Sequence, residues 1–169
     1  MNEPRPCGTD NEWWHNPNSI VSKKYMGALN KMNQDVVDTI RKSGGNNKYR
    51  MIMVPALAAS PDAATTMDFM MPKDTVENRL AVSVHMYTPY NFAMGSPGDI
   101  KFTEAHKRDL SNVFKKLNRR FVSKGIPVVV GEMGATNKDN LQDRIAWFDY
   151  FVKEESKNGV MTCCLWDNG

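Results

Sequence analysis

Val128-Val129-Val130-Gly131-Glu132 decides the fold. Three consecutive valines, opened by Pro127 and closed by Gly131, read as a short buried strand. A charged residue directly after such a run stands where the strand meets its loop. A second carboxylate, Glu3, lies in Asn2-Glu3-Pro4, again where a strand is expected to end. In a parallel α/β barrel the strand C-termini converge on one face, and that face carries the chemistry.

Outward from this run, apolar stretches alternate with helical patterns, which implies parallel strands joined by helices. A polar loop rich in Pro, Gly, Asn and Trp covers residues 5–21. A helix is expected from about Ser22 to Lys42, with Tyr25, Leu29, Met32, Val36 and Ile40 on one face. Ser43 to Asn47 ends it. Arg50–Val54 reads as a strand stopped by Pro55. Residues 56–78 read as irregular, with a short helix around Ala63–Phe69. Leu80–His85 is the next strand, and Met86–Asp99 a long loop.

Thr103 is a suitable N-cap for a helix whose apolar face is Leu110, Val113, Phe114, Leu117 and Phe121. Gly125 ends that helix, and Pro127 opens the strand through Val130. A third long helix, from about Asn140 to Lys157, is expected to bury Leu141, Ile145, Phe148 and Val152, with Gly159 after it. Val160–Trp166 is the last strand and Asp167-Asn168-Gly169 a turn. With the strand expected before Asn2, five strands are accounted for. A complete eight-stranded barrel takes about 250 residues, against 169 here. The expected fold class is therefore α/β, a partial (β/α)8 barrel running from the end of strand 4 to strand 8.

Composition narrows the function classes. The net charge of +3 comes without a basic stripe, which argues against nucleic acid. No apolar run is long enough to cross a membrane, and the polar, proline-rich N-terminus is no signal peptide. Three cysteines, Cys7 alone and Cys163-Cys164 adjacent, show neither a disulfide framework nor zinc-ligand spacing.

Four ordered motifs carry a resemblance. Met1-Asn2-Glu3-Pro4, Ser83-Val84-His85-Met86-Tyr87-Thr88-Pro89-Tyr90, Val129-Val130-Gly131-Glu132-Met133-Gly134 and Leu165-Trp166-Asp167-Asn168-Gly169 are similar to those of glycoside hydrolase family 5, in its endoglucanase branch. The resemblance runs the whole length, 1–169. It implies one partial catalytic domain, with strands one to three and most of four absent. It also implies a retaining endo-β-1,4-glucanase, active on β-glucan and secreted, that needs no metal or organic cofactor. Met133, where the family has Phe, and Met86, often aromatic in relatives, are departures. The absent strands carry an arginine and histidines of the sugar site in relatives.

By that resemblance Glu3 is the acid/base and Glu132 the nucleophile, with carboxyls about 5–5.5 Å apart. Asn2 would hydrogen-bond the sugar 2-hydroxyl. Tyr87 would hold the nucleophile carboxylate, His85 would bind sugar or orient a carboxylate, and Trp166 would floor the cleavage subsite. Trp13 and Trp14 extend the cleft or simply pack. His15 and His106 read as structural or solvated. Two alternatives stand beside this. One is a non-catalytic half-barrel that self-associates through its sheet edges or binds glycans weakly. The other is a β-mannanase or xyloglucanase of the same family.

Overall fold

The computed structural model of the chain describes residues 1–160 and 162–167. Four strands form one parallel sheet: β1 (Ile52–Pro55), β2 (Leu80–His85), β3 (Val128–Met133) and β4 (Thr162–Leu165). They lie in chain order, β1-β2-β3-β4. The long helices are α1 (Ile20–Lys42), α4 (Glu104–Arg120) and α5 (Leu141–Asn158), with single-turn helices α2 (Pro61–Ala64) and α3 (Tyr90–Ala93) between them. The strand and long-helix count is the expected one. α3 is an addition, in the loop after β2 where no helix is expected.

The side chains of a strand alternate between faces, and here the two faces differ. Ile52, Val54, Val82, Val84, Val128 and Val130 point to the helices and form the core with Leu110, Phe114, Leu117, Trp147 and Phe151. The other face carries Ala81, Ser83, His85 and Val129, with Met53 at 55% exposure. Among the described residues, β1 and β4 each pair with one neighbour only. Pro55, expected to stop β1, is its last residue. An edge strand tolerates proline because its missing N–H leaves no ladder bond broken.

Two helix faces differ from expectation. In α1, Leu29 is buried and Tyr25 and Ile40 pack on the core, but Met32 and Val36 are exposed. The inward stripe instead runs through Ser22, Met26, Asn30, Asn33 and Val37. Polar residues occupy it because they bind backbone. Asn33 Nδ2 donates to the Pro55 carbonyl at 3.1 Å. Asn30 donates to the Asp68 carbonyl at 2.8 Å and accepts from Met70 N–H at 3.1 Å. In α5, Leu141, Ile145 and Val152 are exposed and Phe148 half-buried, while Trp147, Phe151, Glu154 and Asn158 face inward. The apolar face of α4 is as expected.

The ends follow local chemistry. The Thr103 hydroxyl accepts from His106 N–H at 3.3 Å, and the His106 ring completes the cap. Gly125 and Gly159 take left-handed φ of 76° and 65° at helix ends, where a side chain is disfavoured. The last strand is shorter than expected, and of the expected turn at 167–169 the positions Asn168 and Gly169 lie outside the described residues, as does Met161.

Candidate active site

β3 does not stop at Val130. It continues through Gly131 and Glu132 to Met133, and its pairing with β2 skips a residue: Val84 faces Val130, yet His85 faces Glu132. One extra residue in a strand is a bulge, and a bulge re-aims the side chains after it. It sets Glu132 beside His85. A Cβ at Gly131 would lie 3.4 Å from His85 Nε2, which is contact rather than clash, so sterics alone do not demand this glycine.

The N-terminal segment has no regular structure, but it is tied down. The Pro4 carbonyl accepts from Ala58 N–H at 2.8 Å. His15 is buried, with Nδ1 at 2.8 Å from Ser22 Oγ and Nε2 at 3.1 Å from Asp68. His15 and the helix-capping His106 are thus structural. With the segment anchored just after it, Glu3 reaches the strand ends.

Glu3 Oε1 lies 2.7 Å from His85 Nδ1, and Glu132 Oε2 lies 3.2 Å from the same nitrogen. One oxygen of each carboxylate and a ring nitrogen of His85 all fall within 4.8 Å of one another. The side chains are shielded, His85 at 6%, Glu132 at 13% and Glu3 at 23% exposure. Tyr87 donates its hydroxyl to Glu132 Oε2 at 2.8 Å. Burial first, then this bond and the charges of Glu132 and Glu3, push the phenol well above its ordinary range, so it stays a neutral donor. Asn2 Nδ2 reaches Glu132 Oε1 at 3.4 Å. Oε2 therefore carries the firm contacts, and Oε1 only the weaker one. The Glu3–His85–Glu132 group has the donor types of a cation site, but each of its facing atoms is already engaged in the hydrogen-bond set above.

These groups open on a cleft of about 480 Å³ that also includes Trp13, Asp62, Tyr90, Met94 and Trp166. Trp166 is 55% exposed, its backbone N–H bonded to the Met133 carbonyl at 2.9 Å. A second depression of about 410 Å³ shares Tyr87, Met94 and Trp166 and continues over Gly134 to Asn137. Trp13 lies in the cleft with the Arg5 guanidinium 4.0 Å above its ring. Trp14 bonds the Asp10 carbonyl instead, at 3.1 Å, and is not among the cleft residues. All six residues singled out in the sequence, Asn2, Glu3, His85, Tyr87, Glu132 and Trp166, line one cleft.

Sequence reasoning missed several supports. Arg5 pairs with Glu3 Oε2 at 3.7 Å. Lys138 donates to the carbonyls of Asn91, Phe92 and Ser96 at 2.7–3.0 Å, tying the loop after β3 to that after β2. Trp147 Nε1 donates to the Thr88 carbonyl at 2.9 Å, next to Tyr87. Asp62, Tyr90 and Met94 line the cleft unforeseen. For Tyr90 the signal was its place at the end of the quoted Ser83–Tyr90 motif.

The family model "Cellulase (glycosyl hydrolase family 5)" matches residues 1–169. Endoglucanase B of Clostridium cellulovorans is 40% identical over 173 residues, covering all of this chain and 38% of that protein. Endoglucanase B of Neocallimastix patriciarum is 36% identical, with 100% and 34% covered. Among solved structures, a mutant lichenase from a Caldicellulosiruptor species in complex with cellotetraose aligns with a TM-score of 0.92 at 43% identity. That alignment covers 98% of this chain and 47% of the lichenase. A broad specificity endoglucanase from Ruminococcus champanellensis with bound cellotriose gives a TM-score of 0.88 at 38% identity, with 99% and 47% covered. The chain thus spans under half the length of these relatives. Its parallel sheet with helices on one face is part of the (β/α)8 barrel expected from the sequence. By a family match along residues 1–169 and by shared structure, the chain belongs to glycosyl hydrolase family 5.

Proposed function

We propose that this cleft hydrolyses β-1,4-glucan chains internally with retention of configuration, as an endo-β-1,4-glucanase acting outside the cell. The observation that carries the reading is the meeting of Glu3 and Glu132 at one His85 nitrogen, their oxygens within 4.8 Å. Retaining glycosidases hold their carboxyls about 5–5.5 Å apart, while inverting ones leave about 6.5–9.5 Å for a water. The relatives' names and the cello-oligosaccharides bound by two structural neighbours support the substrate class.

In the first step Glu3, protonated, gives its proton to the glycosidic oxygen as that bond breaks. Glu132 Oε1 attacks the anomeric carbon and forms a glycosyl ester. Tyr87 holds Oε2 and fixes the carboxylate plane. In the second step Glu3, now a carboxylate, takes a proton from water. That water attacks the same carbon, and Glu132 leaves as carboxylate. Asn2 hydrogen-bonds the sugar 2-hydroxyl, and the exposed face of Trp166 packs against a pyranose C–H face. The open continuation of the cleft over Gly134–Asn137 suits a polymer entering along its length.

Reducing-sugar release from carboxymethylcellulose and barley β-glucan, beside Glu132→Gln, tests this. Release that vanishes in the variant is the expected result. Equal release by both would overturn the role of Glu132. A second reading is favoured by one observation: apolar side chains stand exposed along the free sheet edges and outer helix faces, among them Met53, Leu165, Ile145 and Val152. On that reading the chain by itself associates through those surfaces and binds glycan weakly without turnover. Sedimentation velocity separates it from a monomer.

A further inference from the structure

A groove runs from the carboxylate cleft down the side of α4. Its upper part, about 630 Å³, is shared with the cleft at Asp62, Thr88 and Tyr90 and is walled by Lys115, Lys116 and Arg119. Past the Asp62–Lys116 ion pair (3.1 Å) it continues as a depression of about 510 Å³ bounded by Arg120 and Lys124. Five cations thus face two acids, Asp62 and Asp109. Asp62 is already neutralised by Lys116, and Arg120 is engaged by the Thr66 and Phe69 carbonyls. The side chains of Lys115, Arg119 and Lys124 have no ion-pair or hydrogen-bond partner among the described residues, and all three residues are exposed. At the junction Tyr90 is 67% exposed, and among the described residues it stacks on no other ring.

A neutral glucan does not gain charge pairing from these cations, only hydrogen bonds to its hydroxyls. A chain bearing carboxylates does, because guanidinium and ammonium groups pair with them directly. An open aromatic ring at the junction suits a pyranose leaving the cleft. We propose that this groove is a binding track for carboxylate-bearing carbohydrate, such as a glucan with uronic acid or carboxymethyl groups. Tyr90 seats the sugar ring beyond the cleft, and Lys115 and Arg119 pair with the carboxylates. The proposal deepens the glucan-cleaving reading of the adjoining cleft and rests on it for the sugar backbone. The selectivity it confers is a difference in affinity between acidic and neutral chains.

Affinity electrophoresis of the 169-residue chain in gels containing carboxymethylcellulose or neutral hydroxyethylcellulose tests it. The chain should be retarded more by the carboxymethylated polymer, and salt should erode the excess. Lys115→Gln with Arg119→Gln should weaken that binding about three- to tenfold, as expected for two exposed charge pairs, and leave binding to hydroxyethylcellulose unchanged. Lys23→Gln with Lys24→Gln removes the same charge from α1, outside the groove, and should leave both unchanged. Equal loss in the two double variants would mean net charge alone, and would overturn the track. So would retardation by neither polymer. Retardation by the acidic polymer alone, lost only in the groove variant, would uphold the track while failing the glucan reading of the cleft.

Discussion

Trp147→Phe tests how the core holds the site. Trp147 is fully buried in α5, and its ring packs edge-on to Phe148 at 4.9 Å and tilted against Phe151 at 5.1 Å. Its indole N–H donates to the Thr88 carbonyl at 2.9 Å, so one side chain joins α5 to the residue after Tyr87. Phenylalanine keeps an aromatic ring but removes the donor and part of the volume. The lost hydrogen bond costs about 1 kcal/mol. The void and reduced ring contact add about 1–2 kcal/mol. The expected loss is about 2–3 kcal/mol. With a urea m-value of about 2 kcal/mol/M, the unfolding midpoint should fall by about 1 M with the slope unchanged. Equilibrium unfolding followed by far-UV circular dichroism reads it. A midpoint shift below about 0.2 M, or a loss fully matched by Phe148→Leu, would refute the claim that the indole anchors this loop.

Tyr87→Phe removes the hydroxyl from Glu132 Oε2 while leaving the ring in place. A hydrogen bond to a charged group is worth about 1.5–3 kcal/mol, so kcat/KM on barley β-glucan should fall about 10- to 100-fold with little change in stability. Asp74→Asn breaks a two-pronged pair in which Arg41 Nε and Nη2 donate to Asp74 at 2.8 and 2.7 Å, both side chains 6% exposed. Arg41 Nη1 keeps its bonds to the Asn47 and Arg50 carbonyls, so losing the Asp74 charge should cost about 1.5–3 kcal/mol at neutral pH in urea unfolding. The Arg41 hydrogen bonds hold the Asp74 carboxyl below its ordinary range. Its contribution is therefore complete above about pH 4 and fades as pH falls through the lowered folded value. The gap between the proteins should narrow in acid; a gap independent of pH would contradict this.

The sheet is legible in the sequence because its core strands are short, valine-rich apolar runs. A buried parallel strand needs no polar partner for its side chains, so Val128–Val130 and Leu80–His85 announce themselves. The α4 face is equally plain, since apolar and polar residues separate cleanly around it. α1 and α5 hide their inward faces. Asn30, Asn33 and Asn158 are buried to bond backbone carbonyls, while Met32, Val36, Ile145 and Val152 are exposed. An apolar count along either helix therefore selects a stripe partly turned away from the core. The cleft is legible where residues sit in the quoted motifs, as with Glu3, His85, Tyr87 and Glu132. It is not legible where contact depends on loops meeting, as with Asp62, Met94 and the Lys138 clasp on three carbonyls. The bulge that turns Glu132 toward His85 also leaves no pattern in Val130-Gly131-Glu132 beyond the glycine itself.

A covalent bond from Glu132 to sugar is the step on which the proposed retaining reaction depends. Incubation with a 2-deoxy-2-fluoro cellobioside carrying a good leaving group slows the second step more than the first, so the glycosyl ester accumulates. Intact-mass spectrometry followed by peptide mapping should find one sugar adduct, on the peptide holding Glu132, and none in Glu132→Gln. An adduct on another residue, or none on the wild-type chain, would contradict the account.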